Sequence, residues 1–301
     1  MNLIQKPYPV HLALRGIAPV ARLMPKALMN LRYRLKSGRF IKWSDPQNLQ
    51  EFALKKLFDA AGDKKILKTY ADLSDKVLAR DFVKDRVGEE MLTRLYGVWE
   101  RPDDIDFDKL PVPCVIKTNN GCTTNIIVRD RKDLNPDIIV PKLKKWLKFP
   151  YGALTGQPHY SEIKPLILAE EYLDQNPGSD DLPFDYKFFC FNGEPHFILF
   201  YSGRKLNSHL TYDLVYDTEW KLMEGVVRNP RTEEMPRPEA FDRMLEIARK
   251  LCKGFDFVRV DLYAIGKRVV FGEMTFTPDM VTNFTPEFLS GYFKKIGAEL
   301  A

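Results

Sequence analysis

Apolar and polar residues alternate over residues 258–275 in the manner of two short β-strands with a glycine between them. Side chains of a strand point to opposite faces in turn, so Arg259 and Asp261 share one face of the first strand. By the same rule Glu273 and Thr275 share one face of the second strand. Each strand therefore presents acidic and polar groups on one face and apolar groups on the other.

The register of this hairpin decides which charged groups meet. If Ile265 pairs with Val269 around a three-residue Gly-Lys-Arg loop, Asp261 lies opposite Glu273. Two neighbouring carboxylates repel each other unless a cation lies between them. Mg²⁺ is one candidate, because one or two carboxylates and substrate phosphates typically hold it. A structural ion pair with a basic residue of the same hairpin is equally compatible with the pattern.

The same analysis along the rest of the chain predicts helices first and hairpins later. Helices are predicted over 45–61, 75–86, 137–147 and 239–252, with a last one from residue 286. Strands are predicted over 92–99, 114–117, 125–129, 165–173, 184–191, 196–202 and 210–216. This order favours an α+β fold with largely antiparallel sheets.

Composition narrows the possible classes of protein. The chain has 301 residues and no run of eighteen apolar residues, so we expect no transmembrane helix. Its four cysteines lack C-x-x-C spacing, which disfavours a zinc site and favours buried thiols in a reducing compartment. These features predict a cytoplasmic protein.

The positive charge is concentrated at the N-terminus. Residues 1–44 contain nine lysines and arginines and no acid, whereas the net charge of the whole chain is +5, so the remainder carries −4. Residues 18–40 also have helical apolar spacing. This segment could contact the inner face of an anionic membrane or another polyanion. A basic face packed on the same protein is the alternative. Nucleic acid is not an expected partner, because the body of the chain is acidic.

Residues 115–128 form a second motif, in which Lys117 ends a strand and a small polar loop with Gly121 follows. Backbone N–H groups and hydroxyls of such a loop suit a phosphate, and the ammonium group adds positive charge. The motif is not a Walker A loop, because there the lysine follows the glycines and a helix comes next. An ordinary hairpin with a surface lysine is the alternative interpretation.

Two further motifs complete the candidate chemistry. In residues 165–174 an extended chain would direct the C=O of Glu171 and the N–H of Leu173 to one edge, where they could recognise adenine. In residues 185–204, an Asn-Gly turn predicts a hairpin with Asp185 and Lys187 on one face and Arg204 near its end. A plain strand and a hairpin with solvated edges are the alternatives.

In this order the motifs resemble those of ATP-grasp enzymes, and most closely the TupA-like branch, named for teichuronopeptide synthesis, over roughly residues 45–299. The segments that carry the resemblance are Asp75-Lys76 with Arg80, Phe82 and Val83, and residues 115–117, 185–193, 258–263 and 271–278. The resemblance implies antiparallel sheets and packed helices that form a nucleotide cleft between two lobes. The predicted segments are a basic N-terminus (1–44), a helical or α+β domain (45–110), a small lobe (111–174) and a C-terminal lobe with the metal site (175–301).

The resemblance also implies ATP and Mg²⁺ as cofactors and a role for each candidate residue. The ATP phosphates would contact Lys76, Lys117 and the loop at Gly121. The adenine hinge would comprise Glu170, Glu171 and Leu173. The nucleotide cleft would include Asp185 and Lys187. The ligands of Mg²⁺ would be Asp261, Glu273 and Thr275, the last at a position where many ATP-grasp enzymes have asparagine. The charge of the transferred phosphoryl group and the acceptor would be neutralised by Arg204 and Arg259.

The family chemistry implied is that of a carboxylate–amine ligase working through an acylphosphate. The expected substrates are an amino acid and a uronic acid, with a nucleotide sugar as one form of the latter, in bacterial capsule, O-antigen or other surface-polysaccharide synthesis. A kinase that phosphorylates a sugar or another hydroxyl acceptor is one alternative. A non-catalytic module that binds ATP or a polyanion is another.

Overall fold

A computed structural model describes residues 8–175, 179, 181–203, 212–228 and 233–297 of the chain. The described residues of Met1–Arg32, Ala61–Arg80 and Thr93–Tyr172 form one compact unit, called unit 1 here. Those of Tyr33–Ala60, Asp81–Leu92 and Leu173–Ala301 form unit 2. Residues of the predicted 45–110 segment occur in both units. The division of the chain into four segments stays a prediction.

The predicted α+β architecture with antiparallel sheets is confirmed. The helices of the described residues are α1 (Tyr8–Leu23), α2 (Pro25–Ser37), α3 (Leu49–Ala60), α4 (Lys64–Ser74), α5 (Ala79–Val87), α6 (Pro136–Leu147), α7 (Tyr151–Thr155), α8 (Phe241–Cys252), α9 (Met280–Asn283) and α10 (Pro286–Lys295). The strands are β1 (Leu95–Trp99), β2 (Cys114–Thr118), β3 (Asn125–Val128), β4 (Ile167–Glu171), β5 (Asp185–Phe191), β6 (Glu194–Ser202), β7 (Tyr212–Asp217), β8 (Phe257–Ile265) and β9 (Arg268–Thr275).

The first two helix predictions were wrong in their boundaries. Helix α3 begins at Leu49 and not near residue 45, because the side chain of Asn48 accepts the N–H of Glu51 and caps the helix there. Helix α4 was missed altogether. Its N-cap is Asp63, which accepts two backbone N–H groups directly after the glycine that was expected to end a helix. Ser74, expected to begin a helix, is instead the last residue of α4.

Unit 1 is built on a four-stranded antiparallel sheet with the strand order β1-β4-β2-β3. Alternate residues of its central strands, such as Ile116 and Ala169, are fully buried. They join a hydrophobic core with Leu143 and Trp146 of α6. Strand β2 therefore has one face in the core, and Lys117 lies on its other face.

A buried histidine in unit 1 predicts a dependence of stability on pH. His159 lies in a 3₁₀ turn, and burial lowers its pKa to about 3, whereas a histidine of the unfolded chain titrates near about 6.5. The unfolded state thus takes up the proton first, so the free energy of unfolding falls as the pH drops through about 6.5. We expect His159 to account for a loss of about 1.3 kcal/mol between about pH 7 and pH 5.5.

Urea unfolding of the wild type and of His159→Phe at both pH values measures this contribution. The variant is expected to lose less stability than the wild type by about that amount. An equal loss in the two proteins would show that His159 is not responsible.

Unit 2 is built on a five-stranded antiparallel sheet with the strand order β7-β6-β5-β8-β9. Helix α8 packs on one face of this sheet, where Phe188 stacks against Phe241. On the other face Phe189 stacks on Phe197, and both rings contact Phe284. Lys187 lies on the same face of β5 as Phe189, so the charged residues of β5 and β8 lie next to this aromatic core.

Candidate active site

The charged residues of the 258–275 hairpin lie together, and the predicted pairing of Asp261 with Glu273 is confirmed. The reason for the pairing differs from the prediction. Ile265 pairs with Arg268 around a two-residue turn, which shifts the pairing by one residue relative to the predicted register. A bulge at Gly272, which has no partner in β8, offsets this shift. This bulge restores the register and directs Glu273 to the same face as Asp261.

The bulge at Gly272 explains why a glycine occupies that position. A Cβ there would lie 3.0 Å from Cε2 of Tyr263 and 3.1 Å from the backbone oxygen of Asp261. Strand β8 is bonded to a strand on each side, so its backbone cannot move away easily. We expect Gly272→Ala to lower the free energy of unfolding by about 1 to 2 kcal/mol.

Urea denaturation tests this expectation against Gly291→Ala. Gly291 lies in α10, and a Cβ there meets nothing within 4 Å, so its replacement should leave stability unchanged or raise it. If Gly272→Ala were as stable as Gly291→Ala, the close contact would not constrain the hairpin.

An arginine lies between the two paired carboxylates. Arg259 donates from Nε to Oδ1 of Asp261 at 2.6 Å and from Nη2 to Oδ2 of the same residue at 2.7 Å. Its Nη2 also lies 2.7 Å from Oε1 of Glu273 and 3.0 Å from Oγ1 of Thr275. The Thr275 hydroxyl donates to Glu273 at 2.9 Å. The cation expected between the two neighbouring carboxylates is therefore Arg259, a residue of the same hairpin.

A lysine from the neighbouring strand completes this group. Lys187 of β5 pairs in register with Asp261, and its Nζ lies 2.7 Å from Oδ2 of Asp261 and 3.5 Å from Oδ2 of Asp185. The structure therefore brings together six predicted site residues on one sheet face. We call them the carboxylate cluster: Asp185, Lys187, Arg259, Asp261, Glu273 and Thr275.

Most of the carboxylate cluster is buried. The side chain of Asp261 is only 3% exposed, whereas that of Glu273 is 35% exposed. Burial raises the pKa of Asp261, and contacts with Arg259 and Lys187 oppose that rise. Burial alone would lower the pKa of Arg259, but Asp261 and Glu273 together raise it. Glu273 is thus the accessible carboxylate of the cluster, and buried charged side chains hold it in place.

The sequence analysis missed two residues beside the carboxylate cluster. Tyr201 of β6 pairs with Asp185, and Asp213 of β7 pairs with Tyr201. The ammonium of Lys187 lies 5.3 Å from the centre of the Tyr201 ring. Burial raises the pKa of Tyr201, and the charge of Asp213 raises it further. A regular ladder from the Asn-Gly turn would pair Asp185 with Phe200, and only an irregularity between Phe189 and Cys190 brings Tyr201 to this face, so alternation alone could not have found it. The predicted residue Arg204 lies outside the described residues.

In unit 1, Glu170 and Lys117 form an ion pair across neighbouring strands. Glu170 is buried, and its Oε2 accepts the hydroxyl of Thr93 at 2.9 Å and lies 3.7 Å from Nη1 of Arg80. Sequence analysis gave no role to Thr93 or Arg80. The side chain of Glu170 therefore holds Lys117 at the start of the 118–125 loop.

The 118–125 loop is fixed at its base and contacts the second predicted lysine. Lys76 donates to the backbone oxygen of Gly121 at 2.8 Å. Asn119 donates to Asp75 at 2.7 Å, and its own side-chain oxygen accepts the N–H of Leu166. The structure thus brings Lys76 and the loop together, as the resemblance implies.

Two buried oxygens of this loop lack partners within the described part of the chain. They are Oγ1 of Thr118 and Oδ1 of Asn120. Buried polar atoms of this kind usually have a hydrogen-bond partner, which makes the loop a suitable place for a polar ligand.

The predicted adenine hinge lies at the end of β4. The N–H of Glu171 bonds the backbone oxygen of Arg94 at 2.9 Å, and its carboxylate accepts the N–H of Arg94 at 3.1 Å. Leu173 follows the strand and is partly buried. The hinge role of these residues stays a prediction.

The family of the chain follows from comparison with known protein families. The model of a family described as TupA-like ATP-grasp matches residues 55–299. The chain belongs to the TupA-like ATP-grasp family. A search of curated proteins found no match.

Solved structures similar to this TupA-like chain include three ligases. A D-alanine–D-alanine ligase from Bacillus anthracis complexed with ATP has 16% sequence identity and a TM-score of 0.40, with 71% of this chain and 56% of that chain covered. An L-amino acid ligase from Bacillus licheniformis has 14% identity and a TM-score of 0.44, with 74% and 44% covered. The ATP-grasp ligase PsnB, complexed with a phosphomimetic precursor variant, Mg and ADP, has 13% identity and a TM-score of 0.41, with 75% and 58% covered. The chain spans about half the length of these proteins.

The carboxylate cluster of this TupA-like chain fits Mg²⁺ by the chemistry of its donors. Asp261, Glu273 and Thr275 offer oxygen atoms, and Mg²⁺ is usually held by one or two carboxylates with water and phosphate oxygens. Within the described ranges, no group of three or more His, Cys, Asp or Glu side chains is placed to hold a metal ion, so Mg²⁺ here would depend on the two carboxylates with water and phosphate oxygens. None of the helices in that part of the chain has the length and apolar character that a membrane span requires.

Proposed function

We propose that this chain is an ATP-dependent ligase that joins a carboxylate to an amine through an acylphosphate. The resemblance to the TupA-like branch favours an amino acid and a uronic acid of a bacterial surface-polysaccharide precursor as the substrates. The observation that carries the proposal is the carboxylate cluster, in which buried charges of both signs surround the partly exposed Glu273. Even paired charges contribute little net stability when buried, compared with apolar packing, so a cluster of this kind is more typical of a site than of a core.

Each candidate residue has a role in this proposal. Asp261 and Glu273 hold Mg²⁺, which would neutralise phosphate charge, with Thr275 beside them. Lys76 and Lys117 bind the ATP phosphates. The observed pairing of Glu170 with Lys117 supports a positioning role for Glu170, because it fixes the ammonium at the loop. Glu171 and Leu173 supply the backbone groups for adenine.

The reaction consists of two displacements. A carboxylate oxygen of the first substrate attacks the γ-phosphorus of ATP, the bond to the β-phosphate oxygen breaks, and ADP leaves. The amine of the second substrate then attacks the acyl carbon, expels inorganic phosphate, loses a proton and forms the amide. Phosphoryl transfer of this kind depends mainly on positioning and charge neutralisation. Lys187 and Arg259, together with Arg204, would supply positive charge for the first step.

An assay of ADP release over a panel of uronic acids, nucleotide sugars and amino acids tests this proposal. A thermal-shift screen of the same compounds with Mg²⁺ and a non-hydrolysable ATP analogue selects the pairs to be assayed. We expect ADP release to require one carboxylate and one amine together, with an amide product of matching mass.

Two other outcomes would assign the chain to a different class. A stable phosphorylated product that forms without any amine would indicate a kinase. Binding of ATP with Mg²⁺, but no turnover with any pair, would indicate a non-catalytic module. Either result would overturn the ligase assignment while leaving the family assignment unchanged.

A further inference from the structure

The first turn of α5 brings an arginine to the ion pair of Lys117 and Glu170. Arg80 donates from Nη2 to the backbone oxygen of Thr93 at 2.5 Å and from Nη1 to its hydroxyl at 3.2 Å. That hydroxyl donates to Oε2 of Glu170 at 2.9 Å, and Nη1 of Arg80 lies 3.7 Å from the same oxygen. Oε1 of Glu170 accepts from Lys117. Each oxygen of the Glu170 carboxylate therefore faces a different cation.

The chain segment that carries Arg80 is fixed to the 118–125 loop. Asp75 accepts the side-chain amide of Asn119 in that loop at 2.7 Å. Lys76, the next residue, donates to a backbone oxygen of the same loop at 2.8 Å. Arg80 follows four residues later and is directed to Glu170 instead. One short segment thus supplies one cation to the loop and a second cation to the carboxylate that holds Lys117.

The second cation changes the charge that Lys117 presents to a ligand. Glu170 and Lys117 alone would be neutral as a pair, whereas together with Arg80 they carry one net positive charge. Less than a quarter of each of the three side chains is exposed, so solvent screens these charges only in part. Because Arg80 compensates the carboxylate, the positive charge of Lys117 remains effective towards an anion.

We propose that Arg80 is a positioning residue of the nucleotide site and acts through Glu170. By compensating the Glu170 carboxylate, it leaves the ammonium of Lys117 available to an ATP phosphate, while Glu170 keeps that ammonium at the loop. The hydroxyl of Thr93 links the guanidinium to the carboxylate. Arg80 need not touch the nucleotide for this effect. The inference rests on the phosphate-binding role of Lys117 in the proposed function.

Calorimetric titration of the full chain with a non-hydrolysable ATP analogue and Mg²⁺ tests this inference. We expect Arg80→Met to weaken binding by about tenfold, and Arg80→Lys, which keeps the charge, to bind within about threefold of the wild type. Thr93→Val keeps the shape but removes the linking hydroxyl, so it should weaken binding by a smaller factor than Arg80→Met. The control is Arg101→Met, which should bind like the wild type, because Arg101 pairs with Asp104 on the exposed part of unit 1. Urea midpoints show whether each variant is folded.

A double-mutant cycle separates action through Glu170 from direct contact with the nucleotide. In a Glu170→Gln background, Arg80→Met should change the affinity by less than about threefold, because the carboxylate that Arg80 compensates is gone. A similar loss in both backgrounds would overturn the inference, since Arg80 would then act independently of Glu170.

Two further results would also overturn the inference. One is wild-type affinity in Arg80→Met while Lys117→Met binds weakly, which would leave the proposed function intact. The other is equal weakening by Arg80→Lys and Arg80→Met, which would indicate a role in packing instead of charge. If the wild type itself failed to bind the analogue, the proposed function would be contradicted, and this inference with it.

Discussion

Glu273→Gln should lower ATP turnover by about a thousandfold, equivalent to about 4 kcal/mol of transition-state stabilisation, without unfolding the protein. Glu273 is the accessible carboxylate of the cluster and faces the buried Asp261 across the hairpin. Glutamine has nearly the same shape, and its oxygen can still accept from Arg259 and Thr275. What it removes is the negative charge that a divalent cation requires.

The matched control for this variant is Glu239→Gln. Glu239 pairs with Lys267 at 2.9 Å on the exposed part of unit 2, so the same chemical change is made away from the cluster. Turnover and the urea midpoint are measured for both variants. Wild-type turnover in Glu273→Gln would refute the metal assignment, whereas a similar loss in both variants would indicate a general effect of charge.

Lys187→Met should have the next largest effect, and it should lower both the free energy of unfolding and ATP turnover. The ammonium of Lys187 contacts Asp261 and lies 3.5 Å from Asp185, and its side chain is only 13% exposed. Methionine keeps the apolar stem but leaves the buried carboxylates with less compensating charge. We expect the free energy of unfolding to fall by about 3 kcal/mol, which is the usual cost of breaking a buried ion pair from one side.

Turnover of Lys187→Met should fall by about a hundredfold or more, because the same ammonium would neutralise phosphate charge. Lys267→Met provides the comparison, since Lys267 lies in the turn between β8 and β9 with a side chain that is 82% exposed. That variant should retain both stability and turnover. If the free energy of unfolding of Lys187→Met equals that of the wild type, the buried ion pair between Lys187 and Asp261 does not stabilise the protein.

The alternation of residues was sufficient to predict which groups share a face. Asp261, Glu273 and Lys187 could be assigned to faces because the period of a strand is fixed at two. The turn length was not predictable in the same way. A three-residue loop with a regular ladder and a two-residue turn with a bulge at Gly272 give the same pairing of Asp261 and Glu273.

Contacts between distant segments were beyond the reach of local patterns. Nothing in residues 115–128 indicates that Asn119 bonds Asp75, or that Glu170 is shared between Lys117 and Arg80. These contacts depend on how strands and helices of unit 1 pack. Helix α4 was missed for a local reason, because a glycine followed by aspartate is compatible both with the end of one helix and with the cap of the next.

The pattern also left open which cation separates the two carboxylates of the hairpin. In the structure Arg259 contacts both of them, so the ion-pair interpretation describes the contacts that are present. These contacts do not exclude binding of Mg²⁺ at the cluster. Glu273 is partly exposed and offers carboxylate oxygen atoms to a metal ion, whereas Asp261 is also paired with Lys187. Under the proposed function, Arg259 would hold the two carboxylates in place until metal and nucleotide bind.

Calorimetric titration with a non-hydrolysable ATP analogue, with and without Mg²⁺, tests the nucleotide and metal assignment most directly. It needs no knowledge of the carboxylate or the amine. We expect the wild type and Glu239→Gln to bind the analogue tightly only when Mg²⁺ is present, and Glu273→Gln to bind it at least about tenfold more weakly under the same conditions. Equal affinity with and without Mg²⁺, or equal affinity in Glu273→Gln and the wild type, would contradict a metal-dependent nucleotide site at this cluster.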